Sequence, residues 1–145
     1  MKWITREKAR VDRIACPWLI TRFIDKGPTF LFVPASEVLA VAKEENAIPY
    51  DVPDVELGHH GDHCSFDAFV KKYELKDPAL VELARIVRGA DTEARGLTPE
   101  SAGLYGVASG FRDIARDDFD NMARQFPVYD ALYGYCRARL AGTES

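Results

Sequence analysis

The chain has 145 residues, 47% of them hydrophobic, which is the size and apolar content of one domain with one filled core spanning residues 1–145. Its 19 Lys and Arg against 23 Asp and Glu leave a formal charge of -4, which argues against a surface built to neutralise phosphates and hence against nucleic acid as a partner of this domain alone. The N-terminus is charged rather than leader-like, no apolar run reaches the roughly 18–20 residues of a membrane span, and Cys16, Cys64 and Cys136 are too few and too scattered for a disulfide framework, so the chain reads as a cytoplasmic protein.

Residues 2–5 and 29–33 are rich in aromatic and β-branched side chains and read as short strands. Between them, Val11, Ile14, Trp18, Leu19 and Phe23 recur at helical spacing, with Pro17 disturbing the first turn and Gly27-Pro28 ending the element. Ser36 is expected to cap a helix that buries Val38, Leu39, Val41 and Ala42 and stops at Asn46. Residues 47–52 and 55–60 read as a β hairpin turned at Pro53-Asp54, and the period of two puts Val55, Leu57 and His59 on one face.

Ser65 is expected to cap a helix over residues 66–74, with Asp67 in its first turn where the helix dipole favours a negative charge. Asp77-Pro78 opens another, carrying Leu80, Leu83, Ala84 and Val87, with Gly89 as its terminator and Asp91 just beyond. Thr98-Pro99-Glu100 starts a further helix, or a loop if Gly103, Gly106 and Gly110 prevail, and a last helical segment is broken at Pro127. Early strands and late helices predict an α+β fold: a small mixed β-sheet packed against several helices, with a helix-rich C-terminal half.

All three histidines lie within residues 59–63 and Cys64 follows them. Imidazole and thiolate are preferred ligands of borderline metals, so His59, His60, His63 and Cys64 are candidate ligands for a divalent transition metal, zinc or iron, with Asp67 or Asp91 supplying a carboxylate. Without a ligand, the same stretch is a polar turn with one inward histidine bonded to backbone. Cys64 has a second reading, since a helix start at Ser65 favours both a thiolate and a bound oxyanion. Arg13 could hold an anion and Cys16 could be activated at an irregular helix start; the plainer alternative makes Cys16 a core residue and Asp12 with Arg13 a local salt bridge.

Asp12-Arg13-Ile14-Ala15-Cys16-Pro17-Trp18-Leu19-Ile20, followed by Arg22-Phe23-Ile24-Asp25, resembles the signature of the chromate-resistance ChrB family. Val33-Pro34-Ala35, Ile48-Pro49-Tyr50-Asp51, His59 through Asp67, Ile86-Val87-Arg88-Gly89-Ala90-Asp91 and Tyr129-Asp130-Ala131-Leu132-Tyr133 follow in the family's order, so the resemblance covers nearly the whole chain. It implies a role in chromate resistance, in a form similar to the C-terminal domain standing alone, without the extension that longer regulators would use to contact DNA. The resemblance carries over His59 and Cys64, whereas His63 stands where relatives often have a basic residue.

The expected function is thus a domain that binds a metal ion or an oxyanion such as chromate, as a sensor or accessory protein. The ligands would be His59, Cys64, Asp91, His63 and His60, and Arg13, Cys16, Asp67 and Arg88 would contact the bound species. The alternatives are a metal- or thiol-dependent enzyme acting on chromate or another small molecule, and an interaction module. No CxxC pair and no flavin or nicotinamide motif supports a reductase. A homo-oligomer stays open.

Overall fold

The computed structural model describes residues 1–142 and has a helix-rich α+β fold. Strand β1 (Lys2–Arg6) lies at the centre of a three-stranded sheet, flanked by β2 (Thr29–Val33) and β3 (Ile48–Pro49). Both neighbours run parallel to β1, so the sheet is parallel rather than mixed. The period of two in β1 divides its burial, because Trp3 enters the main core while Ile4 enters a smaller one with Val38, Ala42, Ala47 and Val52.

Helix α1 (Asp12–Leu19) connects β1 to β2 and continues into a wide turn at Ile20–Ile24, closed by the Asp25 amide donating to the Ile20 carbonyl. Helix α2 (Val38–Glu45) covers the smaller core and ends at Asn46, whose left-handed φ of 53° matches the expected stop. Ser36 does not cap it; it lies in the 3-10 turn Ala35–Glu37 that precedes the helix, and Leu39 faces solvent.

The expected hairpin over residues 47–60 does not form. Only Ile48 and Pro49 join the sheet, and Asp51 and Asp54 adopt positive φ of 51° and 65°, which extended strands cannot accommodate. The segment instead folds into turns, tied by the Asp51 amide donating to the Leu57 carbonyl. The alternation therefore fails beyond Leu57: that side chain is buried, whereas His59 is half-exposed.

Helix α3 (Ser65–Lys72) begins one residue earlier than expected, with Cys64 at the capping position and the Asp67 carboxylate accepting the Cys64 amide at 3.0 Å. Helix α4 (Pro78–Asp91) starts at the Asp77-Pro78 signal, with the Asp77 carboxylate accepting the Ala79 amide. It does not stop at Gly89. That glycine serves close packing instead: a Cβ there would meet Ser101 Oγ at 2.2 Å, while Ser101 Oγ donates to the Ile86 carbonyl.

Helix α5 (Ser101–Ile114) contains Gly103, Gly106 and Gly110 at positions where an added Cβ would touch nothing. Gly89→Ala is accordingly expected to lower stability by about 1–3 kcal/mol through overpacking, and Gly103→Ala to raise it by about 0.5–1 kcal/mol through helix propensity. Thermal melting of the two variants checks this pair, and a neutral Gly89→Ala would contradict the packing role.

Helix α6 (Asp118–Leu140) passes through Pro127 unbroken. Pro127 is solvent-exposed, so the carbonyl it leaves unbonded can turn to water, and the helix is anchored on both sides of it. Asn121 donates to the Ala9 carbonyl and Tyr129 to that of Val11, while Asp130 accepts from Trp18 Nε1 at 2.7 Å. Asp118, which composition alone would leave on a solvated face, accepts the Lys8 and Ala9 amides and fixes the turn entering α1. No helix among the described residues is long and apolar enough to cross a membrane.

Candidate functional site

Four segments far apart in sequence meet at one point. Asp12 opens α1, Asp51 follows β3, His59 lies in the turns after it, and Asp91 closes α4. Each offers one ligand atom, and these atoms all lie within 4.8 Å of one another. His59 Nε2 is 3.0 Å from Asp91 Oδ2, 3.1 Å from Asp51 Oδ1 and 3.6 Å from Asp12 Oδ2.

Local structure aims each carboxylate inward. Asp12 is 1% exposed, and its oxygens accept the first amides of α3, from Ser65 at 2.7 Å and Phe66 at 3.1 Å. Its backbone amide in turn donates to Asp91 Oδ1 at 3.2 Å, which ties α1 to the end of α4. Asp51 accepts from Ser65 Oγ at 3.0 Å, and the guanidiniums of Arg6 and Arg13 stand 3.5 and 3.4 Å from its other oxygen.

Concentrating negative charge in the interior shifts Asp12, Asp91 and His59. Burial, reinforced by Asp91, pushes Asp12 up to about 7, and burial also raises Asp91. Hydrogen bonds to Asp12, Asp51 and Asp91 push His59 up to about 12, which makes its imidazolium the counter-charge of the three acids. A half-exposed imidazolium thus faces three carboxylates.

Of the other residues singled out from the sequence, Arg13 and Cys16 touch the cluster at Asp51 and Asp12, while His60, His63, Cys64, Asp67 and Arg88 are not members of it. Gly61, at a φ of 62°, turns the chain so that His60 and His63 exchange backbone hydrogen bonds, which folds His63 onto His60 rather than toward His59. His60 Nε2 is 2.7 Å from the Glu56 carbonyl. Both histidines, with Cys64, Asp67 and Arg88, border a separate cavity of about 860 Å³. There Arg88 forks onto Asp67 with bonds of 3.0 and 2.9 Å, so each satisfies the other. Arg13 is engaged by Asp51 and by the Arg6 and Glu7 carbonyls at 3.1 and 2.8 Å, which makes it a strap between β1 and α1.

Cys16 and Cys64 are fully buried, and Cys16 Sγ sits 3.5 Å from Asp12 Oδ1. Burial and nearby carboxylates push both thiols well above the ordinary range, with Asp67 Oδ2 only 3.4 Å from Cys64 Sγ, so the helix start does not produce a thiolate. Cys136 is buried too. The expected result is that none of the three alkylates at the rate of free cysteine at pH 8 in the native protein, while all three do so after denaturation. Rapid native labelling of Cys64 would contradict this.

Asp12 and Asp51 are the members that sequence reasoning missed. Asp12 resembled half of a local pair with Arg13, although an acid heading a helix that is apolar from Ile14 onward is itself a signal. Asp51 belongs to the Ile48-Pro49-Tyr50-Asp51 stretch but carries no spacing relation to His59 that would mark a ligand.

The fold and site together define a helix-covered α+β domain in which largely buried carboxylates and a half-exposed histidine cluster between the start of α1 and the end of α4. The family model described as ChrB, C-terminal domain, matches residues 3–136, and the chain belongs to that family. The chain is 32% identical over 135 residues to Protein ChrB of Cupriavidus metallidurans, an alignment covering 91% of this chain and 40% of that protein. It therefore spans less than half the length of that relative. No solved structure matches the chain.

Proposed function

We propose that this ChrB-related domain binds one divalent transition metal ion through Asp12, Asp51, His59 and Asp91, and that the bound ion serves a sensing or accessory role in chromate resistance. The observation that carries the reading is the convergence of one imidazole and three largely buried carboxylates from four separate segments. In the metal-free chain the His59 imidazolium is the counter-charge of this group; a divalent ion would replace that proton, take the imidazole as a neutral ligand and compensate the carboxylates more fully. Three oxygens and one nitrogen, with no thiolate among them, favour iron(II) or manganese(II) over the zinc that a Cys64 ligand would indicate. The role in chromate resistance comes from the family resemblance.

Elemental analysis of untagged protein purified without chelator tests the reading, and about one equivalent of metal per chain is the expected result. A chain that carries no metal and takes up none of Fe(II), Mn(II) or Zn(II) in equilibrium dialysis overturns it. Thiol-dependent chemistry is the weaker reading, because all three cysteines are buried.

A further inference from the structure

Resting on the metal site proposed above, a second ligand follows from what surrounds it. His59 and Asp51 form part of the wall of a cavity of about 380 Å³ whose other walls are Arg6, Val52 and Pro53. The side chains of Asp12 and Asp91 are 0% and 17% exposed, against 43% for His59 and 39% for Arg6, so the histidine and the arginine are the more solvent-facing groups. Asp12 is held on the side of α3 by the Ser65 and Phe66 amides, and of the four proposed ligands Asp51 and His59 reach the cavity.

Four protein donors leave an iron(II) or manganese(II) ion short of the six that such ions favour. The charge balance points the same way. Three carboxylates face a divalent ion and the guanidiniums of Arg6 and Arg13, and with His59 acting as a neutral ligand the loaded site carries one net positive charge.

Arg6 is also not used up by the fold. Its Nε donates to the Asp51 carbonyl at 3.2 Å and its Nη2 to Asp51 Oδ2 at 3.5 Å, while its Nη1 takes no partner among the described residues. We infer that the metal-loaded site binds a small oxyanion, a carboxylate or a phosphate, with one oxygen on the ion and another on the Arg6 guanidinium. Arginine suits this because its planar fork can hold Asp51 and a second oxyanion together.

The test uses protein loaded with Mn(II), with binding followed by the loss of the free-ion electron paramagnetic signal and open positions by water proton relaxation. Inorganic phosphate and acetate are titrated separately. Displacement of coordinated water by either anion is expected to lower the relaxation enhancement, and the anion that does so identifies a tetrahedral or a planar ligand. Arg6→Gln is expected to keep Mn(II) but weaken the anion by at least about tenfold, with Arg6→Lys intermediate.

Unchanged relaxation with both anions overturns the inference while leaving the metal site standing. So does an Arg6→Gln variant that binds the anion as wild type does, or one that loses Mn(II) and thereby assigns Arg6 to supporting Asp51. Failure of the wild-type chain to bind Mn(II) is a separate result, read before any anion is added, and removes the metal reading together with its ligand.

Discussion

Replacing Asp91 by Asn is expected to weaken metal binding by at least about a hundredfold, beyond most of the roughly 10–100-fold range of an outer partner, and to change the stability of the metal-free fold by no more than about 1 kcal/mol. The second half of that expectation follows from two opposed effects. Burial raises the Asp91 pKa, and an acid raised in the folded state contributes stability that is present at low pH and lost as pH rises. At neutral pH the ionised Asp91 therefore works against the fold; an amide removes that opposition and keeps an oxygen for His59 at its 3.0 Å contact, but it leaves the Asp12 amide without its acceptor, which offsets the gain by about 1 kcal/mol.

Melting with and without metal separates the two effects. An ion present at about a thousand times its dissociation constant stabilises wild type by about 4 kcal/mol, and that shift is what Asp91→Asn should lose. His59→Ala is the less clean variant, because it removes a ligand and also strips three carboxylates of their shared counter-charge, which destabilises the metal-free protein as well. An Asp91→Asn protein with an unchanged metal shift would remove Asp91 from the ligand set.

The largest loss of stability is expected for Asp12→Ala, at about 3–5 kcal/mol from two buried amides at the start of α3 left without acceptors and the void left by the carboxylate. The amides are those of Ser65 and Phe66, and they have no other partner once the Asp12 carboxylate is gone because they open α3. Asp12→Asn keeps one acceptor oxygen and loses the charge, so about 1–2 kcal/mol is expected from a single unmade bond. Both variants should fail to bind metal, and only the first should approach unfolding. Urea denaturation of the pair decides the matter, and a loss below about 1 kcal/mol in Asp12→Ala would show that the start of α3 does not depend on this carboxylate.

What the sequence determined by itself was whatever a few neighbouring residues decide. The strands at Trp3-Ile4-Thr5 and Phe30-Leu31-Phe32, the stop at Asn46 and the opening of α4 at Asp77-Pro78 are local, since side-chain period, turn chemistry and capping act within one or two turns. The order of motifs also pointed to the ChrB family. Elements that depend on what lies across the interface were misread: Gly89 reads as a helix end until Ser101 packs against it, and Pro127 reads as a break until α6 is anchored on both sides.

The site divides in the same way. Sequence drew attention to His59 and offered Asp91 as a carboxylate, but it grouped His59 with His60, His63 and Cys64 because they are adjacent in the chain. In the turns from Asp51 to Cys64 adjacent side chains diverge, so His59 meets the acids while His60 and His63 border the other cavity. Asp12, Asp51 and Asp91 belong to one another only through the packing of α1, β3 and α4, and a ligand set assembled across 79 residues leaves no periodic trace along the chain. Tertiary structure alone decided it, because burial and charge at a point in space depend on every segment that reaches that point.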